Sequence, residues 1–146
     1  MLRFDHVGVV VDDLDAVAAF FVGLGFELEG RWHVDGEAVD AINGLDGVRA
    51  EAAMVRAPDG SGKLELVKYH KPADEHRVRS SPANRPGFRH IAIQIDDVNA
   101  TVDRLRAEGY DTVGDVRDYG GSYRLCYLRG PEGLIVELAE RLEPAG

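Results

Sequence analysis

The chain contains two copies of one sequence pattern, and this internal repeat is the feature that most constrains its fold. The stretch FDHVGVVVDDLDAVAAFFVGLGF, which begins at Phe4, aligns without a gap with FRHIAIQIDDVNATVDRLRAEGY, which begins at Phe88. A histidine follows two residues later in each copy, at His6 and at His90. A repeat of this kind indicates a duplicated supersecondary unit, so we expect both copies to adopt the same local fold.

Each copy reads as a strand, a helix and a turn. The runs HVGVVV and HIAIQI are short and rich in β-branched residues, which is typical of buried strands. An Asp-Asp pair follows each run and predicts a helix N-cap, because a short carboxylate accepts hydrogen bonds from the free N–H groups of a first helical turn. Gly25 and Gly109 are predicted to end the two helices, since glycine adopts the left-handed conformation at little cost.

The second part of each copy predicts a β-hairpin. The segments AAMVRAPDGSGKLELV and LCYLRGPEGLIVELAE each contain a strand, a Pro-acid-Gly turn and a second strand that carries a glutamate. The sequence therefore predicts an α+β fold of two tandem βαβββ modules. The predicted boundaries are 1–146 for a single domain, 1–67 for the first module, 68–87 for a crossover and 88–141 for the second module.

Charge and cysteine content narrow the class of partner. The chain has 26 acidic and 17 basic residues and a net charge of −9, which argues against binding to nucleic acid or to an anionic membrane surface. Cys126 is the single cysteine, so no disulfide forms within the chain, as is typical of a reducing compartment. No apolar run approaches the roughly 18 residues of a membrane helix. We therefore expect a cytoplasmic protein that acts on a small molecule.

Two histidines and two glutamates recur at matching places and predict a metal site. His6 and His90 begin the first strand of each copy, and Glu65 and Glu137 lie between apolar neighbours on the last strand. A carboxylate in such a strand is costly to bury without a partner. Each residue alone is typical of a satisfied polar group at a strand end or on the surface. Their symmetric recurrence favours one shared divalent cation.

Small residues on the same strands support this interpretation. Gly8 and Ala92 come two residues after the histidines and therefore share their face of the strand. A small side chain at these places leaves room above a metal, where a bulky one would fill a core. Cys126 lies between Leu125 and Tyr127 and is predicted to be a core residue, because no local charge lowers its pKa.

The arrangement resembles the vicinal oxygen chelate superfamily, which includes glyoxalase I, methylmalonyl-CoA epimerase, extradiol dioxygenases and antibiotic-resistance proteins. Paired βαβββ modules with His at the first strand and Glu at the last carry the resemblance, which extends from Phe4 to about Glu140. It implies that the modules form a cupped, incomplete barrel and that the protein is a homodimer. The resemblance also implies the metal ligands, which are His6, Glu65, His90 and Glu137.

The predicted ligands suggest a mechanism. Imidazole nitrogens and carboxylate oxygens suit Zn²⁺, Ni²⁺, Co²⁺, Mn²⁺ or Fe²⁺. Two vicinal oxygens of a small-molecule substrate are expected to bind the ion, which as a Lewis acid stabilises an enediolate while a proton α to a carbonyl leaves. Glu137 or Glu65 is the predicted base, and Gln94 and Arg124 are predicted to orient the substrate. The expected activity is that of an isomerase or lyase like methylmalonyl-CoA epimerase or glyoxalase I.

Two other functions remain open from the sequence. One is an Fe²⁺ ring-cleaving dioxygenase, which needs two histidines and one carboxylate. A fourth protein ligand removes an open coordination position that oxygen requires. The other is a non-catalytic protein that binds a hydrophobic drug or metabolite. The complete ligand set favours the metal-dependent enzyme over both.

Overall fold

The chain divides into two compact units, each of which contains one copy of the repeat. A computed structural model describes residues 1–76 and 80–143. The units are Met1–Arg77 and Val78–Gly146, so the division falls inside the predicted crossover. Within the described part of that crossover, residues 72–76 and 80–87 form neither helix nor strand.

The first unit is one open sheet with a long and a short helix. Its elements are β1 (Val7–Val10), α1 (Leu14–Leu24), β2 (Glu27–Asp35), α2 (Glu37–Asn43), β3 (Arg49–Arg56) and β4 (Lys63–Lys71). The strand order is β1-β4-β3-β2, with β1 parallel to β4 and the other pairs antiparallel. The last strand of this unit continues past residue 67, where the sequence predicted the module to end.

The second unit repeats this topology. Its elements are β5 (His90–Gln94), α3 (Val98–Ala107), β6 (Asp111–Thr112), β7 (Arg117–Tyr119), β8 (Tyr123–Arg129) and β9 (Ile135–Arg141). The strand order is β5-β9-β8-β6, and β7 also pairs with β8. The first and last strands, β5 and β9, are parallel, as β1 and β4 are in the first unit. The predicted α+β fold with two tandem βαβββ modules is confirmed.

The predicted helix ends are also confirmed. The carboxylates of Asp13 and Asp97 each accept a hydrogen bond from the backbone N–H three residues later, at 3.0 and 2.9 Å. Gly25 has a φ of 119° at the end of α1, and Gly109 has a φ of 98° just after α3. A residue with a side chain would be strained at either angle. No helix in the described residues is long and apolar enough to cross a bilayer.

Pro-acid-Gly turns form both predicted hairpins. Between β3 and β4, the N–H of Gly60 donates to the carbonyl of Ala57 at 2.9 Å. Between β8 and β9, Pro131–Gly133 forms a short 3₁₀ turn. The two turns hold each glutamate-bearing strand antiparallel to the strand before it, which fixes where the glutamates lie in their sheets.

The main helix of each unit, α1 or α3, covers one face of its sheet and leaves the other face open. Phe21 of α1 and Leu66 of β4 are fully buried in the first unit, and Leu105 of α3 and Leu138 of β9 are fully buried in the second. Exposure alternates along β1 and β5, because successive side chains point to opposite faces. The open face is therefore where the predicted ligands are expected.

Candidate metal centre

His6 and Glu65 come together on the open face of the first unit. Gly8 lies opposite Glu65 in the parallel pairing of β1 with β4, and His6 precedes that strand by one residue. The Nε2 atom of His6 is 3.9 Å from Oε2 of Glu65. The Glu65 side chain is 28% exposed, so its carboxylate is partly desolvated.

The second unit contains the same pair in the same register. Ala92 lies opposite Glu137 in the parallel pairing of β5 with β9. The Nε2 atom of His90 is 3.9 Å from Oε1 of Glu137, whose side chain is 22% exposed. Two separate sheets therefore place a His nitrogen and a Glu oxygen at the same distance.

This distance is compatible with a shared metal ion. Donor atoms 3.9 Å apart are too far apart for a hydrogen bond. Ligand atoms that each lie about 2.1 Å from an ion are at most about 4.2 Å apart, so each pair can hold one ion without rearrangement of the backbone. The donors in each pair, one imidazole nitrogen and one carboxylate oxygen, suit a divalent transition metal.

Asp5 orients one of the predicted ligands. Its Oδ2 atom lies 2.5 Å from Nδ1 of His6. This hydrogen bond lowers the pKa of the Asp5 carboxyl, with a smaller contribution from the charge of His6. When Nδ1 donates to Asp5, Nε2 carries the free lone pair and is available to a metal. Arg89 occupies the corresponding place in the second copy.

Tyr127 is a site residue that sequence reasoning missed. It lies opposite Glu137 in the β8–β9 pairing, and its ring centroid is 4.8 Å from that of His90. The ring restricts the orientation of the imidazole. Once β8 is known to pair with β9, alternation along LCYLR places Tyr127 on the same face as Glu137. Met54 occupies the matching position opposite Glu65 in the first unit.

Open space lies beside the first pair, as the small residues predicted. A Cβ atom added to Gly8 would meet no other atom within 4 Å. Gly8 lies directly across from Glu65, so this space borders the carboxylate. Ala92 has the equivalent position across from Glu137.

Gln94 and Arg124, the predicted substrate-binding residues, lie on opposite faces. Gln94 shares the open face with His90 and is exposed. Arg124 is on the helix-covered face, where it donates to Asp118 at 2.9 Å and lies 3.5 Å from Glu140. Its guanidinium is thus already paired and points away from Glu137. The orienting role predicted for Arg124 is inconsistent with this position, and Arg124 is left out of the proposed site.

Cys126 occupies the core position expected of it. Its side chain is buried on the helix-covered face of β8, and burial raises the pKa of the thiol. A protonated thiol is a poor metal ligand and a poor nucleophile. Cys126 therefore contributes packing rather than chemistry.

The structure brings the four predicted ligands together as two pairs. Across residues 1–76 and 80–143, no group of three or more His, Cys, Asp or Glu side chains lies within reach of a single ion. Each unit supplies one imidazole and one carboxylate. A single centre with all four ligands stays a prediction.

Known proteins share this sequence pattern and this fold. The model of the Glyoxalase/Bleomycin resistance protein/Dioxygenase superfamily matches residues 5–127. A glyoxalase family protein from Bacillus cereus has a crystal structure that matches with a TM-score of 0.93, at 39% identity over 98% of this chain and 96% of that one. The 2-epi-5-epi-valiolone epimerase of an Actinomyces species is 31% identical over 97% of this chain and 79% of its own length.

A more distant structure shares the fold alone. The trypanothione-dependent glyoxalase I of Leishmania major matches with a TM-score of 0.66 at 22% identity, over 96% of this chain and 87% of that one. The family model, the duplicated βαβββ topology and the repeated His–Glu pair agree with one another. The chain therefore belongs to the glyoxalase/bleomycin resistance protein/dioxygenase superfamily, the vicinal oxygen chelate superfamily.

Proposed function

We propose that the protein is a metal-dependent isomerase or lyase that moves a proton α to a carbonyl in a small substrate with vicinal oxygens. The observation that carries this proposal is the repeated His–Glu pair, with Nε2 and carboxylate oxygen 3.9 Å apart in each unit. A duplicated fold that keeps the same pair twice, in partly desolvated positions, is expected to use both. We also propose that the protein acts in the cytoplasm as a homodimer.

The residues fit a divalent ion. His6, Glu65, His90 and Glu137 would hold it, and they offer two neutral nitrogens and two negative oxygens. This set suits Zn²⁺, Ni²⁺, Co²⁺, Mn²⁺ or Fe²⁺ and balances the charge of a divalent cation. When bound, the ion acts as a Lewis acid that makes the hydrogen next to a coordinated carbonyl more acidic.

Glu137 is the proposed base. It takes the α proton and holds it on a carboxylate whose neighbours are Ala92 and the ring of Tyr127. Glu65 has the corresponding position in the other unit and would return a proton in an epimerisation. Gln94, on the open face, would donate a hydrogen bond to a substrate oxygen. Gly8 and Ala92 leave space for the reacting carbons.

The relatives support a reaction of this type. The relative named as an epimerase is more than 30% identical to this chain and aligns along most of its own length. Epimerisation and the glyoxalase reaction both begin with removal of a proton next to a carbonyl. Such a step requires a base and stabilisation of negative charge on oxygen, which the proposed centre supplies.

Metal content tests the proposal directly. The protein is purified without a histidine tag and measured by elemental analysis, together with His6→Ala, Glu137→Ala and, as a matched control, His33→Ala in exposed strand β2. We expect about one transition metal per chain in the wild type and in the control, and loss of metal in the two ligand variants. Epimerase and glyoxalase assays then follow with Zn²⁺, Ni²⁺, Co²⁺ and Mn²⁺.

The same preparation separates the other functions. Absence of metal after reconstitution would overturn the proposal and favour a binding protein for a hydrophobic molecule. Oxygen uptake in the presence of a catechol and Fe²⁺ would favour a ring-cleaving dioxygenase. Equal metal loss in His33→Ala would show that the ion is held elsewhere.

A further inference from the structure

A group of cationic and aromatic side chains extends the open face of the second sheet beyond Glu137. Arg141 is four residues further along β9, so it points to the same face as Glu137. Its cross-strand partner is Tyr123, which pairs in turn with Tyr119 of β7. Paired residues in antiparallel strands share a face, so these three side chains form one row.

A second row of side chains, polar at both ends, lies between this row and Glu137. Ala139 of β9 lies opposite Gln94 on one side and Leu125 on the other. Leu125 pairs with Arg117 of β7. Gln94 and Arg117 therefore lie at the two ends of this row, with Ala139 and Leu125 between them. Together with the first row, these residues make a patch that we call the arginine patch: Gln94, Arg117, Tyr119, Tyr123 and Arg141.

The charges in this patch are available to a ligand. Within the described ranges, 1–76 and 80–143, the guanidinium of Arg141 forms no ion pair and no hydrogen bond. Arg117 contacts Asp115 at 3.0 Å, and its side chain is 79% exposed. An exposed ion pair of this kind is weak because water screens it, so an anion can compete for the guanidinium. Arg124, on the other face, is by contrast held between Asp118 and Glu140.

The corresponding surface of the first unit is apolar. Val10 stands where Gln94 stands in the second unit, because each lies two residues after the residue opposite the glutamate. Tyr69 is four residues after Glu65, as Arg141 is after Glu137, and its cross-strand partner is Ala50. The two copies thus keep the His–Glu pair and differ in the rows beside it. On a chain with a net charge of −9, two arginines on one face make a local positive region that attracts anions.

We infer that the arginine patch binds an anionic group, a carboxylate or a phosphate, on the substrate whose vicinal oxygens bind near Glu137. This inference rests on the proposed function for the reacting end of the substrate. Guanidinium groups form charge-assisted hydrogen bonds with carboxylate and phosphate oxygens, and tyrosine hydroxyls add neutral donors. Arg141 lies about 14 Å along the strand from Glu137, so the anionic group is separated from the reacting carbons by several bonds.

Inorganic phosphate tests the patch independently of any metal. The full-length protein, treated with a chelator, is titrated with phosphate at constant ionic strength by calorimetry. We expect saturable binding that weakens about tenfold in Arg141→Gln and less in Arg117→Gln. Arg104→Gln, at an exposed position of helix α3, removes the same charge and should leave binding unchanged. Absence of saturable binding, or equal weakening in all three variants, would overturn the inference.

A pair of chelating probes then connects the patch to the metal. Metal-loaded protein is titrated with 3,4-dihydroxycinnamate and with its amide, which share vicinal oxygens and differ by one charge. We expect tighter binding of the carboxylate, and loss of that preference in Arg141→Gln. If neither probe binds but phosphate binding depends on Arg141, the proposed function fails and the anion site stands. If both probes bind equally and phosphate does not bind, the anion site fails and the proposed function stands.

Discussion

Asp5 accepts a hydrogen bond from the Nδ1 atom of His6 at 2.5 Å, and it does so from the residue directly before the histidine. When the neutral imidazole carries its proton on Nδ1, the lone pair of Nε2, the atom that faces Glu65, is free for a metal. It also distinguishes the two halves of the repeat, because Arg89 precedes His90. The two histidines therefore differ in how they are oriented, Asp5 acting on the first and the ring of Tyr127 on the second.

Asp5→Asn is expected to weaken metal binding about tenfold or more without unfolding the protein. A carboxylate partner fixes the tautomer and increases the basicity of a histidine ligand, whereas an amide does so poorly. Competition with a chromophoric chelator measures the affinity. Asp46→Asn, in the loop before β3, makes the same change of charge away from the site and should leave the affinity unchanged. Unaltered affinity in Asp5→Asn would exclude the orienting role.

Glu137→Gln is expected to retain the fold and to reduce turnover by at least about a hundredfold, because general base catalysis contributes roughly that much. Glu65→Gln is the matched variant, since it makes the same change, from a carboxylate to an amide, at the symmetric position. We expect the larger loss of proton exchange in Glu137→Gln. Exchange of the substrate α proton with deuterium, followed by NMR, measures it. Full exchange in metal-loaded Glu137→Gln would exclude Glu137 as the base.

Gly8→Val is expected to fold normally and to exclude substrate. A Cβ atom at this position meets nothing within 4 Å, so the added side chain is accommodated, and valine favours a strand. The new methyl groups occupy the space across from Glu65. We expect an increase in KM, or loss of probe binding, with unchanged thermal stability. A normal KM would mean that substrate does not use this space.

Phe21→Ala is expected to reduce the free energy of unfolding by about 3–5 kcal/mol. Phe21 is 1% exposed and forms edge-to-face contacts with Phe20 and Phe26, so its removal leaves a cavity under the first sheet. Val22→Ala, at a residue that is 45% exposed in the same helix, should change stability by no more than about 0.5 kcal/mol. Denaturant titration monitored by circular dichroism gives both values.

Cys126 is expected to resist thiol reagents while the protein is folded. Burial raises the pKa of its thiol, so the thiolate fraction at any pH near neutrality is below that of a free cysteine, and access is blocked as well. Reaction with Ellman's reagent should be slow at pH 7 to 8 and should become complete in guanidinium chloride. Rapid reaction in the native state would show that the second sheet opens readily.

Local sequence signals were sufficient for most of the secondary structure. Asp13 and Asp97 predicted where the helices begin, because they are N-caps, and the Pro-acid-Gly turns predicted the hairpins. The short helix α2 was missed, because seven residues without a side-chain cap give a weak signal and no buried face. The repeat supported these assignments, since each copy predicts the same elements as the other.

For the candidate site, the sequence predicted the residues but not the distances between them. The repeat alone indicates the four candidate ligands, because duplication preserves chemistry at matched positions: His6, Glu65, His90 and Glu137. Within each unit, the distance between nitrogen and oxygen came from the parallel pairing of the first and last strands. That pairing brings together a histidine and a glutamate that are 59 positions apart in the first unit and 47 in the second, and no local pattern specifies it.

Arg124 and Tyr127 show why register required the tertiary structure. Both lie on β8, and alternation says only that they point to opposite faces. Which of them faces Glu137 depends on how β8 pairs with β9, and a shift of one residue would exchange their roles. By itself, the sequence determined the two modules, their caps and turns, and the four candidate ligands. The pairing of distant strands decided which side chains meet, because register is set by packing over the whole sheet.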